Sequence, residues 1–190
     1  MELIKCKSCG GNYVIRDGKY SVFAGCSNYP KCKSTMKLQD LALEYIINNG
    51  LNIYRWQRVC WKCHKYTEIY SYFPMCDFNK IGSDLEQFSV GIGIGDITYF
   101  DEKLMSRYPT IKIKYSSVVK ASYPANTCKH CDAMQGRNYV VEDPDVIFND
   151  LYSENPYDNM KKYLFDHIEC KSTVEIKEDI TFLFDATHEL

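Results

Sequence analysis

The sequence has no long apolar run, and this absence sets the first limit on its function. Its 190 residues contain no stretch of about 18 consecutive apolar residues, so we expect no membrane span and no membrane partner. Residues 1–6 show neither a long apolar segment nor a small-residue cleavage site, so we expect no secretory signal. We therefore expect a cytoplasmic protein in a reducing compartment, where cysteines serve as metal ligands more often than as disulfides.

Recognisable catalytic signatures are also missing. The run Gly91-x-Gly93-x-Gly95 lacks the Gly-Lys-Ser/Thr ending of a phosphate-binding loop and predicts only a flexible turn. No Ser/His/Asp order and no paired carboxylates indicate a hydrolytic centre. A nuclease site built from scattered Asp and Glu residues leaves weak traces in a sequence, so that alternative stays open.

What the chain does have is cysteine. Six of its ten cysteines form three Cys-x-x-Cys pairs, which begin at Cys6, Cys60 and Cys128. A two-residue gap allows both thiolates of a tight turn to point at one metal ion, and the pattern is typical of structural zinc sites. Cys76 and Cys170 fall outside these groups, and we expect both to be buried thiols.

The first pair is completed within a short segment. Cys6 and Cys9 are followed by Cys26 and Cys32, so all four ligands fall between positions 6 and 32. Four thiolates close a tetrahedral zinc site and leave no position for a reacting water, so the site stabilises its surroundings and performs no chemistry. The alternative, that these cysteines are small buried apolar residues, does not account for the spacing.

The residues between the two halves of this site predict a β-hairpin. Val14 and Ile15 favour a strand, Asp17-Gly18 predicts a two-residue turn, and residues 20–23 return as the second strand. Each cysteine pair then lies at the base of a strand, which is the arrangement of a zinc ribbon.

Residues 6–37 resemble the four-cysteine zinc-finger repeats at the C-terminus of bacterial type IA DNA topoisomerases. Three segments carry the resemblance: residues 6–11 (Cys-Lys-Ser-Cys-Gly-Gly), 16–20 (Arg-Asp-Gly-Lys-Tyr) and 23–32 (Phe-Ala-Gly-Cys-Ser-Asn-Tyr-Pro-Lys-Cys). Lys7 stands where the family usually has proline, and Ser21 where it often has glycine. The resemblance implies binding of single-stranded DNA. The family's catalytic body is large, so we expect no topoisomerase reaction from this chain.

Charge and aromatic content support nucleic-acid binding by the same segment. Residues 1–38 carry seven basic and two acidic side chains, a net +5, while the remainder carries 16 basic and 23 acidic ones, a net −7. Cations attract the phosphate backbone, and exposed aromatic rings stack on bases. The predicted contacts are Tyr13, Arg16, Lys19, Tyr20, Phe23, Tyr29 and Lys31. For any one ring, a place in the small core of the ribbon is an equally good interpretation.

The other two Cys-x-x-Cys pairs predict a second zinc site. Cys60 and Cys63 lie far along the chain from Cys128 and Cys131, so the chain must leave and return to close the group. Strands predicted at 66–73 and 111–121, with a helix at 81–88 between them, allow this. The competing hypothesis is a local site formed by Cys60, Cys63 and Cys76, with His64 nearby. We expect two Zn²⁺ ions in all.

We expect a small zinc-ribbon module followed by an α+β domain, with a second four-cysteine ribbon that carries a long insertion. The predicted divisions are a ribbon at 1–37, a linking helix at 38–50, an α+β domain at 51–142 and an acidic helix–strand segment at 143–190. That last segment has a net charge of −8, a helical apolar face predicted after Pro156 and a strand predicted at 180–184. It is expected to pack on the middle domain, or else to meet a protein partner, because it would repel DNA.

Two functions from different classes remain. The leading hypothesis is a non-enzymatic, zinc-dependent protein that binds single-stranded DNA through the first ribbon. The alternative is a small nucleic-acid-processing enzyme, nuclease-like, whose ribbon delivers substrate to a site in residues 51–190. No catalytic constellation in the sequence supports the second hypothesis, so the first leads.

Overall fold

In the computed structural model, the described residues are 4–79, 81–82, 85, 91–142, 146–170 and 176–181. The chain packs into two compact units. Unit 1 contains residues 1–51, 74–92 and 169–190, and unit 2 contains residues 52–73 and 93–168. Both units mix short helices with small sheets, as expected for an α+β protein. No helix among the described residues is both long enough and apolar enough to cross a membrane.

Unit 1 begins with a three-stranded antiparallel sheet. Its strands are β1 (Tyr13–Asp17), β2 (Val22–Cys26) and β3 (Thr35–Met36), with β2 in the centre. The predicted hairpin is present, but its turn is longer than predicted. Asp17 pairs with Val22, and residues 18–21 form the loop instead of a two-residue Asp-Gly turn.

A helix follows the sheet, as predicted. α1 (Leu38–Asn49) buries an apolar face made of Leu38, Leu41, Ala42, Tyr45 and Ile46, which recur at helical spacing. It ends at Gly50, whose φ of 66° lies in the left-handed region and whose N–H donates to the carbonyl of Ile46. In the same unit, the ring of Tyr45 meets Phe78 of the short helix α2 (Pro74–Phe78) edge to face.

Two three-stranded sheets lie in the described part of unit 2. The first orders β5 (Tyr66–Tyr72), β4 (Leu51–Val59) and β9 (Leu164–Ile168), and the second orders β6 (Ile111–Ser116), β7 (Ala121–Thr127) and β8 (Met134–Gln135). β4 and β5 pair antiparallel in the first sheet, and all three strands of the second are antiparallel. The helices that accompany them are α3 (Thr98–Arg107), α4 (Val146–Leu151) and α5 (Pro156–Met160). The same unit has a turn of π-helix at Asn138–Glu142 and one of 3₁₀-helix at Lys161–Tyr163.

Three local predictions are wrong. The single strand predicted at 111–121 is the β6–β7 hairpin, because the chain turns at 117–120. The helical face predicted after Pro156 ends at Met160, and residues 164–168 are strand β9. The strand predicted at 180–184 is helical at 180 and 181, and its other residues lie outside the described part. Most of the predicted helix at 81–88 also lies outside it.

The glycine-rich loop is held in place by carboxylates. The N–H of Gly93 donates to Asp96 at 2.7 Å, and the N–H of Gly95 donates to both carboxylate oxygens of Asp101 at 3.1 and 3.2 Å. Asp101 is buried and also accepts from the hydroxyl of Tyr72. These backbone donors are therefore already occupied by carboxylates, which agrees with the absence of a phosphate-binding motif from the sequence.

Asn126 joins the two sheets of unit 2. Its side-chain oxygen accepts from the N–H of Tyr70 at 2.9 Å, and its amide group donates to the carbonyl of Tyr70 at 2.8 Å. Asn126 is only 1% exposed, so water cannot replace either bond. The amide thus holds β7, which leads into the pair that begins at Cys128, against β5, which follows the pair that begins at Cys60.

Replacing Asn126 with alanine is expected to lower the free energy of unfolding by about 2–4 kcal/mol, because both backbone groups of Tyr70 would be buried without a partner. Urea unfolding of the zinc-loaded chain measures this change. The matched control is Asn138→Ala, at an exposed position of the same unit, for which we expect a change below about 0.5 kcal/mol. Equal effects of the two substitutions would contradict the role assigned to Asn126.

Candidate zinc centres and nucleic-acid interface

The first four predicted ligands form one cluster in unit 1. The Sγ atoms of Cys6 and Cys32 are 3.8 Å apart, and those of Cys9 and Cys26 are 3.3 Å apart. All four sulfur atoms lie within 4.8 Å of one another. Cys6 and Cys26 are buried, Cys32 is half-buried and Cys9 is exposed, so one edge of the cluster faces solvent.

The other four predicted ligands form a second cluster, in unit 2. The Sγ atoms of Cys60 and Cys131 are 3.7 Å apart, those of Cys63 and Cys128 are 3.6 Å apart, and the four again lie within 4.8 Å of one another. Cys76 belongs to unit 1 and joins neither cluster among the described residues. The structure therefore brings together the long-range set and not the local one.

All three Cys-x-x-Cys turns have the same backbone geometry. In each, the N–H of the first cysteine donates to the carbonyl five residues later, and the N–H four residues later donates back to the carbonyl of that cysteine. The residue in that fourth position has a left-handed φ: 73° for Gly10, 58° for His64 and 57° for Asp132. Residues other than glycine rarely adopt this backbone conformation. His64 and Asp132 therefore serve as turn residues, and the second cluster is built from two turns like the one at Cys6.

Polar groups around the sulfur atoms tune their ionisation. Burial alone raises the pKa of Cys6, but hydrogen bonds from the Ser8 N–H and the Ser34 hydroxyl outweigh it and lower the pKa to about 6. Cys60 is similar, since the N–H groups of Cys63 and Lys62 overcome burial and lower its pKa to about 6.

At least one sulfur in each cluster has a raised pKa instead. The N–H of Asn28 favours the thiolate of Cys26, but burial and the neighbouring sulfurs outweigh it and raise the pKa to about 12. Cys131 behaves alike: the Ala133 N–H lowers its pKa, while burial and the three other sulfurs raise it to about 12. At neutral pH each cluster thus combines a ready thiolate with a thiol that must lose its proton to bind metal. Metal binding consequently releases protons and weakens as the pH falls.

Each cluster fits zinc. Thiolates are soft ligands, and four of them around one point form the closed tetrahedral site that structural zinc occupies. Further donors orient the sulfurs: the amide of Asn28 donates to Cys9 Sγ at 3.4 Å, and that of Gln135 donates to Cys60 Sγ at 3.3 Å. The prediction of two groups able to hold a zinc ion each is confirmed.

The predicted nucleic-acid contacts in the first ribbon differ in their accessibility. Tyr13 is 6% exposed, and its hydroxyl bonds to that of Ser34 at 2.7 Å, so this ring belongs to the core and presents no open face to a base. Tyr20 and Tyr29 are 89% and 62% exposed. Phe23 and Arg16 are half-buried, and two charged side chains are exposed at Lys19 and Lys31.

Several of these residues line one groove. It has a volume of about 580 Å³, and its walls include Arg16, Phe23, Tyr29 and Lys33. The guanidinium of Arg16 lies over the ring of Tyr29, 5.8 Å from its centroid. Phe23 also borders a second groove of about 970 Å³, beside Tyr20 and Lys37. Aromatic and cationic groups therefore line both grooves beside Phe23, together with one carboxylate in each, Asp17 and Asp40. Lys33 and Lys37 are not among the predicted contacts, although both contribute to the basic charge of the segment.

Gly25 permits the position of Arg16. A Cβ atom at residue 25 would lie 2.8 Å from Cδ and 2.9 Å from Nε of Arg16, and 3.3 Å from a ring carbon of Phe23. With any other residue at position 25, the Arg16 side chain would have to shift from this path.

Residues 3–40 form a four-cysteine zinc ribbon of the topoisomerase type. They match the family described as "Topoisomerase DNA binding C4 zinc finger", which confirms the resemblance drawn from the sequence. No solved structure matches the chain.

Relatives of this segment include DNA topoisomerase 1 of Methanocaldococcus jannaschii, 60% identical over 30 residues, and DNA topoisomerase 1 of Mycoplasmoides gallisepticum, 46% identical over 39 residues. The matches cover 16% and 20% of this chain, but only 4% and 5% of those enzymes. The uncharacterized protein YrdD of Escherichia coli is 50% identical over 42 residues, which cover 22% of this chain and 23% of that protein. Each of these likenesses thus covers less than a quarter of either chain.

Proposed function

We propose that this chain is a zinc-dependent nucleic-acid-binding protein that holds single-stranded DNA in the groove of its N-terminal ribbon. The observation that carries the proposal is the groove itself, in which Arg16, Phe23, Tyr29 and Lys33 line one cavity on a module with a net charge of +5. Basic groups draw the phosphates to this surface, and open rings receive unpaired bases.

A single strand suits this surface better than a duplex. Stacking on Tyr20 or Tyr29 requires a base that is free to leave its neighbours, and duplex bases are already stacked and paired. The exposed rings also lack the fixed pattern of donors and acceptors that reads base edges, so we propose binding with little sequence preference.

The zinc ions have a structural role in this proposal. Each cluster uses four cysteines and leaves no ligand position for a substrate. We propose that the first ion fixes the strands that carry the groove, and that the chain acts by binding, without strand cleavage. We also propose that Cys60, Cys63, Cys128 and Cys131 form a second ribbon, with the intervening residues as an insertion.

The test is a pair of substitutions at exposed rings. Replacing Tyr20 and Tyr29 together with alanine is expected to weaken binding of a labelled single-stranded oligonucleotide by about 30-fold or more, since each stacked base contributes about 1–3 kcal/mol. Fluorescence anisotropy at fixed salt measures the affinity. The control is the double phenylalanine variant, which keeps both rings and should bind nearly as the parent does. If the alanine variant binds as tightly as the parent, stacking on these rings is excluded.

A further inference from the structure

A second basic surface surrounds the second zinc cluster, inside the part of the chain whose overall charge is acidic. Residues 55–66 contain four basic side chains and no acidic one, and residues 111–135 contain four basic side chains and one acidic one, a net of +7 in a chain of net −2. These segments hold all four cysteines of the second cluster. The remainder of the chain beyond the first ribbon is correspondingly more acidic.

The contacts of the two turns place several of these cations together. The N–H of Lys129 donates to the hydroxyl of Thr67 at 3.1 Å, and Nε2 of His130 lies 3.1 Å from the carbonyl of Tyr66. The second turn therefore lies against the start of β5, which places Lys129 and His130 beside Lys65 and Tyr66. Lys62 lies on the first turn, between the ligands Cys60 and Cys63.

Nearby carboxylates do not neutralise these lysines. Asp132 is engaged by Lys112 and Lys114, and Glu68 accepts from the hydroxyl of Tyr70 and lies 3.7 Å from Arg55. Within the described ranges, Lys62, Lys65 and Lys129 form no ion pair, and all three are exposed. Their positive charge is thus available to an external anion.

Two large aromatic rings complete the surface. Trp61 is 53% exposed, and its indole N–H donates to the carbonyl of Met134 at 2.7 Å, which fixes the ring while its face stays open. Tyr66 is 64% exposed, follows Lys65 in the chain, and meets His130 through its backbone carbonyl. Cations with rigid, open rings match a chain of phosphates whose bases are free to stack, whereas an acidic peptide offers charge without such planar groups.

We propose that the surface formed by Trp61, Lys62, Lys65, Tyr66, Lys129 and His130 is a second binding site for single-stranded nucleic acid. Its residues are distinct from those of the first-ribbon groove, and an oligonucleotide that contacts both surfaces loses affinity when either one is changed. The site therefore extends the proposed function and can be tested apart from it. Lysines contact the phosphates, and the indole and phenol rings receive bases.

The test compares two triple variants of the zinc-loaded full chain. Lys62, Lys65 and Lys129 are replaced by alanine in one, and Lys103, Lys161 and Lys162, exposed lysines of the same unit, are replaced in the control. The first variant should bind a labelled oligothymidine about tenfold more weakly than the parent at about 0.1 M salt. The slope of its log affinity against log salt should also be shallower by about 2, because each phosphate contact on a single strand contributes about 0.7 to that slope. The control should change affinity less than about twofold, because Lys161 and Lys162 are already paired with Asp158 and Asp150, and Lys103 lies over the ring of Tyr99.

Zinc content and urea midpoint, measured on both variants, show whether each is folded. Loss of affinity in the first variant only, with two zinc ions retained, supports the site. Equal affinities of parent and variant overturn it, as does a preference of the parent for poly-glutamate over an oligonucleotide of equal charge. The variant with alanine at Tyr20 and Tyr29 separates the two proposals. If it binds like the parent while the lysine variant binds more weakly, the first-ribbon site fails and this one stands. If the lysine variant binds like the parent while the tyrosine variant binds more weakly, this site fails and the first-ribbon site stands.

Discussion

Replacing Cys128 and Cys131 together with serine is expected to reduce the zinc content of the chain from two ions to one. Both sulfurs belong to the second cluster, where Cys128 lies 3.6 Å from Cys63 and Cys131 lies 3.7 Å from Cys60. Two remaining thiolates cannot close a tetrahedral site. Structural zinc contributes about 10–16 kcal/mol in small modules, as much as the whole stability of an ordinary domain. The β6–β7 hairpin and the turn at Cys60 should therefore lose their fixed structure.

Elemental analysis of the purified chain gives the zinc count, and hydrogen exchange reports the loss of structure in residues 55–72 and 111–135. The matched control is Cys76→Ser, which alters a buried cysteine outside both clusters and should retain two ions. Retention of both ions by the Cys128, Cys131 variant, with loss of one from the Cys76 variant, would instead indicate the local site.

Replacing Cys26 and Cys32 with serine is expected to weaken single-strand binding by at least about 100-fold, which is about 2.7 kcal/mol. Cys26 ends β2, its N–H donates to the carbonyl of Ser34, and its own carbonyl accepts from Arg16 at 3.4 Å. Without zinc we expect these contacts to be lost, because a sheet of three short strands cannot bury enough apolar surface to fold alone. Arg16, Phe23 and Tyr29 then no longer line one groove. One zinc ion should remain, in the second cluster.

The first ribbon can be predicted from the sequence because its determinants are local. Four ligands, a hairpin and a helix start all fall between positions 6 and 40, and the turn at Cys6 uses a glycine where a left-handed residue is needed. The second cluster can be predicted only by pairing two incomplete turns. There His64 and Asp132 take the left-handed position, so the turns lack the glycine that would mark them.

Other features depend on contacts that no local pattern carries. The β6–β7 turn at 117–120 contains no glycine, proline or asparagine, and its left-handed residue is Lys120. Its sequence signal is the weak one of Ser116 and Ser117, where the Ser116 hydroxyl accepts from the N–H of Val119 at 3.3 Å. Residues 164–168 repeat apolar side chains at a spacing that suits a helix, yet they pair with β4 as a strand. Sheet pairing between distant segments overrides local preference in this case.

The basic surface around the second cluster escapes a sequence-based prediction for a different reason. When net charge is compared between residues 1–38 and everything after them, the acidic segment from 143 onward cancels the cations near Cys60 and Cys128. Net charge taken over shorter segments separates the basic stretches near Cys60 and Cys128 from the acidic segment. Only the structure shows that the two basic segments meet, through contacts such as that between Lys129 and Thr67.

The most direct test of zinc-dependent single-strand binding is a side-by-side titration of one labelled oligonucleotide, single-stranded and as a duplex, with the parent chain and the Cys26, Cys32 variant. Zinc is counted in the same samples. We expect the parent, with two ions, to bind the single strand at least tenfold more tightly than the duplex. We expect the variant, with one ion, to bind the single strand at least about 100-fold more weakly than the parent does. A variant that lacks the first zinc ion but binds the single strand as tightly as the parent would contradict the account.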